Sequence, residues 1–174
     1  MTNRAMRQPA RLSTAFHEAG HAVIARSLGL KIHSATIVPV TGIHGRVEHA
    51  NPLRGIHLDY DGSDRAHRRA ETAIIVCLAG PAAQRRHKPQ SWRSYHGQSD
   101  HSRAADLALS LNGSDEATNA HLKYLAVVAR DMVAAQWPLI EQVAGALIER
   151  QTLTGAELAG VLAPTSAMGQ RPRD

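Results

Sequence analysis

Aromatic residues are scarce in this chain, and long apolar runs are absent from it. Only 3% of the 174 residues are aromatic, with a single phenylalanine, Phe16. We therefore expect a core built from Ala, Leu, Val and Ile. No stretch of 18 or more apolar residues occurs, and the basic N-terminus is not followed by the hydrophobic segment of a signal peptide. The sequence thus predicts neither a membrane span nor export.

Cysteine is almost absent as well. The single Cys77 excludes an internal disulfide, and its apolar neighbours at residues 74–78 indicate a reduced thiol in a buried helix. A single reduced cysteine is typical of proteins in a reducing compartment, so the sequence predicts a cytoplasmic location. The length is that of one domain, which we place at residues 12–162, between a flexible basic tail at 1–11 and a second flexible tail at 163–174.

Positive charge is spread along the chain. The formal net charge is +5, but the arginines run from Arg4 to Arg173, with local groups only at residues 65–69 and 85–86. Nucleic-acid-binding domains gather basic residues on one face or beside aromatic residues. We therefore interpret these arginines as a solvated surface, which argues against a nucleic-acid partner and leaves weak attraction to an acidic partner open.

Hydrophobic periodicity and capping residues predict a mainly helical fold. A first helix is expected over residues 13–28, with Ser13 as its N-cap and Gly29 as the left-handed residue after it. Two neighbouring strands, or a β-hairpin, are expected over residues 31–40 and 46–49, where β-branched residues replace the helical pattern. Further helices are expected over residues 64–79, 82–86, 100–111, 114–136, 138–150 and 155–162. The predicted class is α+β, predominantly α-helical, with a small sheet and a C-terminal helical bundle.

Residues 17–21 carry a motif with clear chemical meaning, His-Glu-Ala-Gly-His. On a helix, His17 and His21 lie four residues apart on one face and can chelate a single metal ion. Glu18 points away from that face, so its carboxylate can reach a water instead of the ion, as a zinc hydrolase requires. Gly20 in the same helix predicts that another backbone approaches closely.

A catalytic zinc ion needs three protein ligands and an open position, and two histidines are not enough. Asp100 is the leading candidate for the third ligand, although an aspartate at a helix start also suits an N-cap. His101, His96 and Glu71 are alternatives, and spacing alone does not decide among them. Gly80 and Pro81 are expected to break or bend the second helix.

Five blocks of sequence together resemble the peptidase domain of FtsH-type zinc proteases. In order they are HEAGHA at 17–22, ATIVP at 35–39, LAGPAAQ at 78–84, GQSD at 97–100 and LTGAEL at 153–158. The resemblance implies a zinc endopeptidase in which His17, His21 and Asp100 hold Zn²⁺ and Glu18 is the general base. Asp100 matches the family's third ligand if one residue is deleted before it, whereas a gap-free alignment places His101 there.

Departures from that family limit the expected function. No membrane anchor and no G-x-x-x-x-G-K-[ST] phosphate loop is present, and Pro81 stands where the family usually has arginine. We therefore expect a stand-alone, ATP-independent peptidase that cleaves flexible or unfolded protein segments or depends on a separate unfoldase. A peptide substrate is expected along residues 45–49 by β-augmentation, with Tyr95 or His96 as candidates to stabilise the oxyanion. The oligomeric state stays open.

Two other functions remain under consideration. A regulatory protease of the ImmA/IrrE type also uses H-E-x-x-H, but it would carry a DNA-binding module, which we do not find. A non-catalytic adaptor would keep the peptidase fold and bind a partner through its arginines. The presence of Glu18 together with a full set of candidate ligands favours an enzyme.

Overall fold

The computed structural model describes residues 7–40, 45–89 and 98–163, which form six helices and three short strands. The predicted class, α+β and mainly helical, is confirmed. None of the helices in these ranges combines the length and the apolar character that a bilayer crossing requires. In chain order the elements are α1 (Arg7–Ser27), β1 (Ile32–Thr36), β2 (Arg46–His49), α2 (Asp64–His87), α3 (Gln98–Leu111), α4 (Asp115–Ala135), α5 (Trp137–Arg150), β3 (Thr152–Thr154) and α6 (Gly155–Val161).

Helix α1 begins six residues before its predicted start. Ser13 lies inside the helix and is buried, so its assignment as the N-cap is wrong. Pro9 falls in the first turn, where backbone N–H groups have no intrahelical acceptor, so it removes no hydrogen bond. Residues 7–11, which we expected to belong to a flexible tail, are instead the first residues of α1. The end of α1 agrees with the prediction, since Gly29 has a φ of +81°.

Helix α2 runs through Gly80 and Pro81 without interruption, so the predicted break is wrong. A proline in a helix interior removes one backbone hydrogen bond and costs about 3 kcal/mol. Both residues are buried in this helix, and α2 packs against α1, α3 and α4. Tertiary packing therefore overrides the local preference, and the separate helix predicted at 82–86 is the end of α2.

The strands form one antiparallel sheet in the order β2-β1-β3. The pairing of β1 with β2 confirms the predicted strand pair, with Ala35 opposite Val47. Strand β3 is absent from the sequence prediction, because its three residues, with only Leu153 buried, are too few for an alternating pattern to be recognised. The sequence also indicates a turn at Thr41 and Gly42, after the first strand, and these two residues lie outside the described part of the chain.

The C-terminal helices pack around α1 and α2. Helices α3 and α4 lie chiefly against α2, and α5 lies chiefly against α1. Side chains cap the starts of α4 and α6, which lie within one residue of the predicted starts: Ser114 accepts from the backbone N–H of Ala117, and Thr154 forms a reciprocal capping box with Glu157. The pair of α1 and α2 is thus the centre of the core.

Gly20 sets the distance between those two helices. A Cβ added at Gly20 would lie 2.6 Å from the Cβ of Ala83 and 2.8 Å from the carbonyl oxygen of Ala79. The predicted close approach of another backbone is therefore confirmed, and that backbone belongs to α2.

Candidate metal centre

Three side chains from two helices converge at one point. His17 and His21 project from α1, and Asp100 projects from the first turn of α3. The Nε2 atom of His17 is 3.1 Å from Oδ2 of Asp100 and 3.1 Å from Nε2 of His21, and Nε2 of His21 is 3.5 Å from Oδ2 of Asp100. We call these three residues the triad. Within the described part of the chain, it is the one group of His, Cys, Asp and Glu residues close enough to hold a metal ion.

The spacing of the triad fits a tetrahedral metal ion. Zinc bonds of about 2.0 to 2.1 Å place neighbouring ligand atoms of a tetrahedron about 3.3 to 3.4 Å apart. The separations in the triad, 3.1, 3.1 and 3.5 Å, lie on both sides of that value. Two imidazole nitrogens and one carboxylate oxygen also leave a fourth position for water, as catalytic zinc sites do.

Each imidazole is held in place through its other ring nitrogen. Nδ1 of His21 donates to the carbonyl oxygen of Val76 at 2.7 Å, and Nδ1 of His17 donates to Oε1 of Gln84 at 3.1 Å. These bonds hold a proton on each Nδ1 and direct each Nε2 at the triad, where it can bind a cation or, when protonated, donate to Asp100. Gln84 is only 4% exposed, so water does not compete for its bond to His17.

Gly80 provides the space that the His21 ring occupies. A Cβ added at Gly80 would overlap three atoms of that ring, Nε2, Cδ2 and Cε1. Any other residue at this position would therefore displace the imidazole or separate α1 from α2. Helix α2 thus supports the centre with Val76, Gly80 and Gln84, although it contributes no member of the triad.

The electrostatics of the triad favour a positive charge among its members. Burial by itself lowers the pKa of His21, but the hydrogen bond to Asp100 and the charges of Asp100 and Glu18 outweigh it and raise that pKa to about 9. Burial raises the pKa of Asp100, but hydrogen bonds from His17 and His21 hold it well below its usual range. The carboxylate is therefore ionised at neutral pH and available to a cation.

Glu18 lies beside the triad, with its carboxylate withdrawn from solvent. The residue is 5% exposed, and burial is the largest influence on its pKa, which is raised above the usual value. Its side chain packs against Gly45, the residue before β2, where an added Cβ would lie 2.5 Å from Oε1 and 2.8 Å from Cγ of Glu18. Gly45 thus brings the edge of the sheet against this carboxylate.

Of the other candidate residues, the two that the structure describes are not part of the triad. His101 follows Asp100 in the chain, but it is exposed and does not belong to the triad. Glu71 contacts His121 instead, with Oε1 3.1 Å from Nε2 of that histidine. His96 and Tyr95, considered as a ligand and as oxyanion groups, fall at residues 90–97, outside the described part of the chain.

Sequence reasoning did not identify the supporting residues on α2. Val76 acts through its backbone carbonyl, which no sequence pattern reveals. Gln84 is an ordinary helix residue by type, and its partner His17 is 67 positions away. The sequence marks Gly80 as a possible helix breaker, but it does not reveal that this residue contacts the His21 ring.

Comparison of the chain with protein-family models and with curated proteins gives no match. The resemblance to FtsH-type peptidases therefore depends on the five sequence blocks, and the interpretation of the centre depends on its own geometry. That geometry is a candidate metal centre of two histidines and one aspartate, with a buried glutamate beside it.

Proposed function

We propose that this protein is a zinc-dependent endopeptidase that acts without ATP on flexible or unfolded protein segments. The observation that carries the proposal is the triad, whose ligand atoms come from two helices and lie at tetrahedral spacing. Two features beside it support the proposal: the Nδ1 atoms of both histidines are already engaged, and a buried carboxylate is adjacent.

Each polar group of the centre has a role in this proposal. His17, His21 and Asp100 would hold the ion through Nε2, Nε2 and Oδ2. Zinc, when bound, would supply a Lewis acid that activates a water for attack on the peptide carbonyl. Glu18 would accept a proton from the attacking water and pass it to the leaving amine. The raised pKa of Glu18 suits a carboxyl group that must hold a proton between these two steps.

The position of β2 supports an extended peptide as the substrate. Strand β2 is at an edge of the sheet, and Gly45 directly before it contacts Glu18. A peptide that pairs with this edge by β-augmentation passes close to the general base. Only segments free to extend can pair in this way, which is why we propose flexible or unfolded substrates. A separate unfoldase would extend the activity to folded proteins.

The proposal can be tested with zinc-loaded protein and an unstructured substrate such as casein. We expect cleavage that a chelator stops and added zinc restores. Glu18→Gln should keep its zinc and lose about 10²- to 10⁴-fold in cleavage rate, because it lacks the base. Glu149→Gln removes an exposed carboxylate from α5 and serves as the matched control, with an unchanged rate.

Two results would refute the enzyme proposal. One is a purified protein that does not bind zinc, and the other is proteolysis that survives Glu18→Gln with equal rate. Zinc binding without cleavage of any unstructured protein would point to the non-catalytic adaptor instead.

A further inference from the structure

A cavity of about 490 Å³ lies behind α1, where this helix meets β1 and α6. Its volume is within the range of about 300 to 1,000 Å³ typical of small-molecule sites. At 100° per residue, Ala22 and Arg26 in its wall lie about 100° and 140° around the helix from His21. The cavity is therefore separate from the triad. Its apolar wall is formed by Ala22, Leu30, Ile32, Leu158, Ala159 and Leu162.

The polar part of the lining is basic. Arg26, Lys31 and His33 line the cavity and are exposed, and no acidic residue lines it. Within the described residues, none of the three forms an ion pair with a carboxylate. Glu157, the acidic residue of α6, accepts hydrogen bonds from Thr154 and Arg150 instead. The positive charge at the cavity mouth is therefore not balanced by a neighbouring side chain.

We propose that this cavity binds a small amphiphilic anion, an acyl chain that carries a carboxylate. The apolar wall would cover the chain, and Arg26 and Lys31 would pair with the head group. Apolar contact alone does not distinguish such a ligand from a neutral one, whereas charge-assisted hydrogen bonds from the basic residues select the anion. Because Ala22 directly follows His21, the ligand contacts the helix that carries two members of the triad. The site uses no member of the triad, so it does not depend on the proposed peptidase activity.

Calorimetric titration of the full chain with decanoate, below the concentration at which it forms micelles, tests the proposal. We expect saturable binding of one decanoate per chain. Octanoate should bind roughly tenfold more weakly, because two methylenes fewer are buried. Decanol should also bind more weakly than decanoate, because it has no charge for the basic residues.

Variants at the cavity test its basic residues and its apolar wall separately. Arg26→Gln with Lys31→Gln should weaken decanoate binding by about tenfold and leave decanol binding unchanged. Lys123→Gln with Arg130→Gln removes the same charge from exposed positions on α4 and should change neither. Ala159→Trp, at an exposed position in the cavity wall, should narrow the cavity and weaken the binding of both ligands.

Absence of saturable decanoate binding overturns the proposal. The proposal is also overturned if decanol binds as tightly as decanoate. It is overturned as well if the double substitution on α4 weakens decanoate binding as much as the double substitution at the cavity. Decanoate binding that Ala159→Trp leaves unchanged would place the ligand elsewhere and also refute the proposal. Circular dichroism of every variant checks that the fold is retained.

Discussion

Gln84 on α2 faces α1 and accepts a hydrogen bond from His17 in a location that solvent does not reach. Without that acceptor, Nδ1–H of His17 loses its partner, and the ring loses its fixed orientation. We therefore expect Gln84→Leu to weaken zinc binding by about 10- to 100-fold. Competition between metal-free protein and a chromophoric chelator measures the dissociation constant.

Gln84→Glu is the matched control for that substitution. It keeps an acceptor for His17 at the same position, so its affinity for zinc should not fall. If Gln84→Leu binds zinc as tightly as the original chain, the hydrogen bond does not orient the ligand.

Cys77 gives a prediction about pH. Burial is the largest influence on its thiol and raises its pKa from 9.0 to about 11, while the residue is only 8% exposed. Thiol reagents should therefore react slowly with the folded protein at pH 8 and quickly after denaturation.

The same thiol should make stability depend on pH. Because its pKa is higher in the folded chain than in the unfolded chain, the stability linked to this thiol is complete below pH 9 and is lost as the pH rises toward 11. Denaturant titrations across that range, compared with Cys77→Ala, measure the loss, and equal pH dependence in both proteins would contradict it.

At the scale of secondary-structure elements, the contact between α1 and α2 leads to a prediction with an internal control. Gly20→Ala should lower the free energy of unfolding by about 1 to 3 kcal/mol, because the new methyl group would overlap Ala83 and the carbonyl of Ala79. The same substitution at Gly145 in α5, where nothing lies within 4 Å of the added Cβ, should raise it by about 0.5 to 1 kcal/mol. Urea denaturation followed by circular dichroism measures both, and a stabilised Gly20→Ala would show that the helices can separate at no cost.

Element boundaries were predictable from the sequence where local chemistry decides them. The starts predicted near residues 114 and 155 and the left-handed Gly29 depend on side chains or backbone in their own turns, and the structure agrees with each. Pro81 and Ser13 were misjudged because packing against other helices, which neighbouring residues do not reveal, decides their conformations. The histidine pair follows from helix geometry, but the position of Asp100 depends on how α3 packs, which spacing along the chain could not determine.

For the whole molecule, a bound metal should raise thermal stability, because the triad exists only in the folded chain. At a free zinc concentration of 100 times the dissociation constant, the gain is about 2.7 kcal/mol. For a protein of this size that corresponds to a rise in Tm of roughly 5 to 10 °C. Asp100→Ala should remove most of this rise, and His101→Ala, at the exposed neighbour, should keep it.

Differential scanning calorimetry with and without zinc measures these shifts. A chelator should return the original chain to the Tm of the metal-free protein. The reverse order, with His101→Ala losing the shift and Asp100→Ala keeping it, would assign the third ligand to His101.

The triad also has a consequence for folding kinetics. His17 and Asp100 are 83 residues apart, and β1, β2 and the whole of α2 lie between them in the chain. Contacts across so long a segment require the intervening elements to be in place, so we expect them to form late in folding. An interaction that forms after the transition state changes the unfolding rate and leaves the folding rate nearly unchanged. Zinc should therefore prolong the lifetime of the native state without helping the chain to reach it.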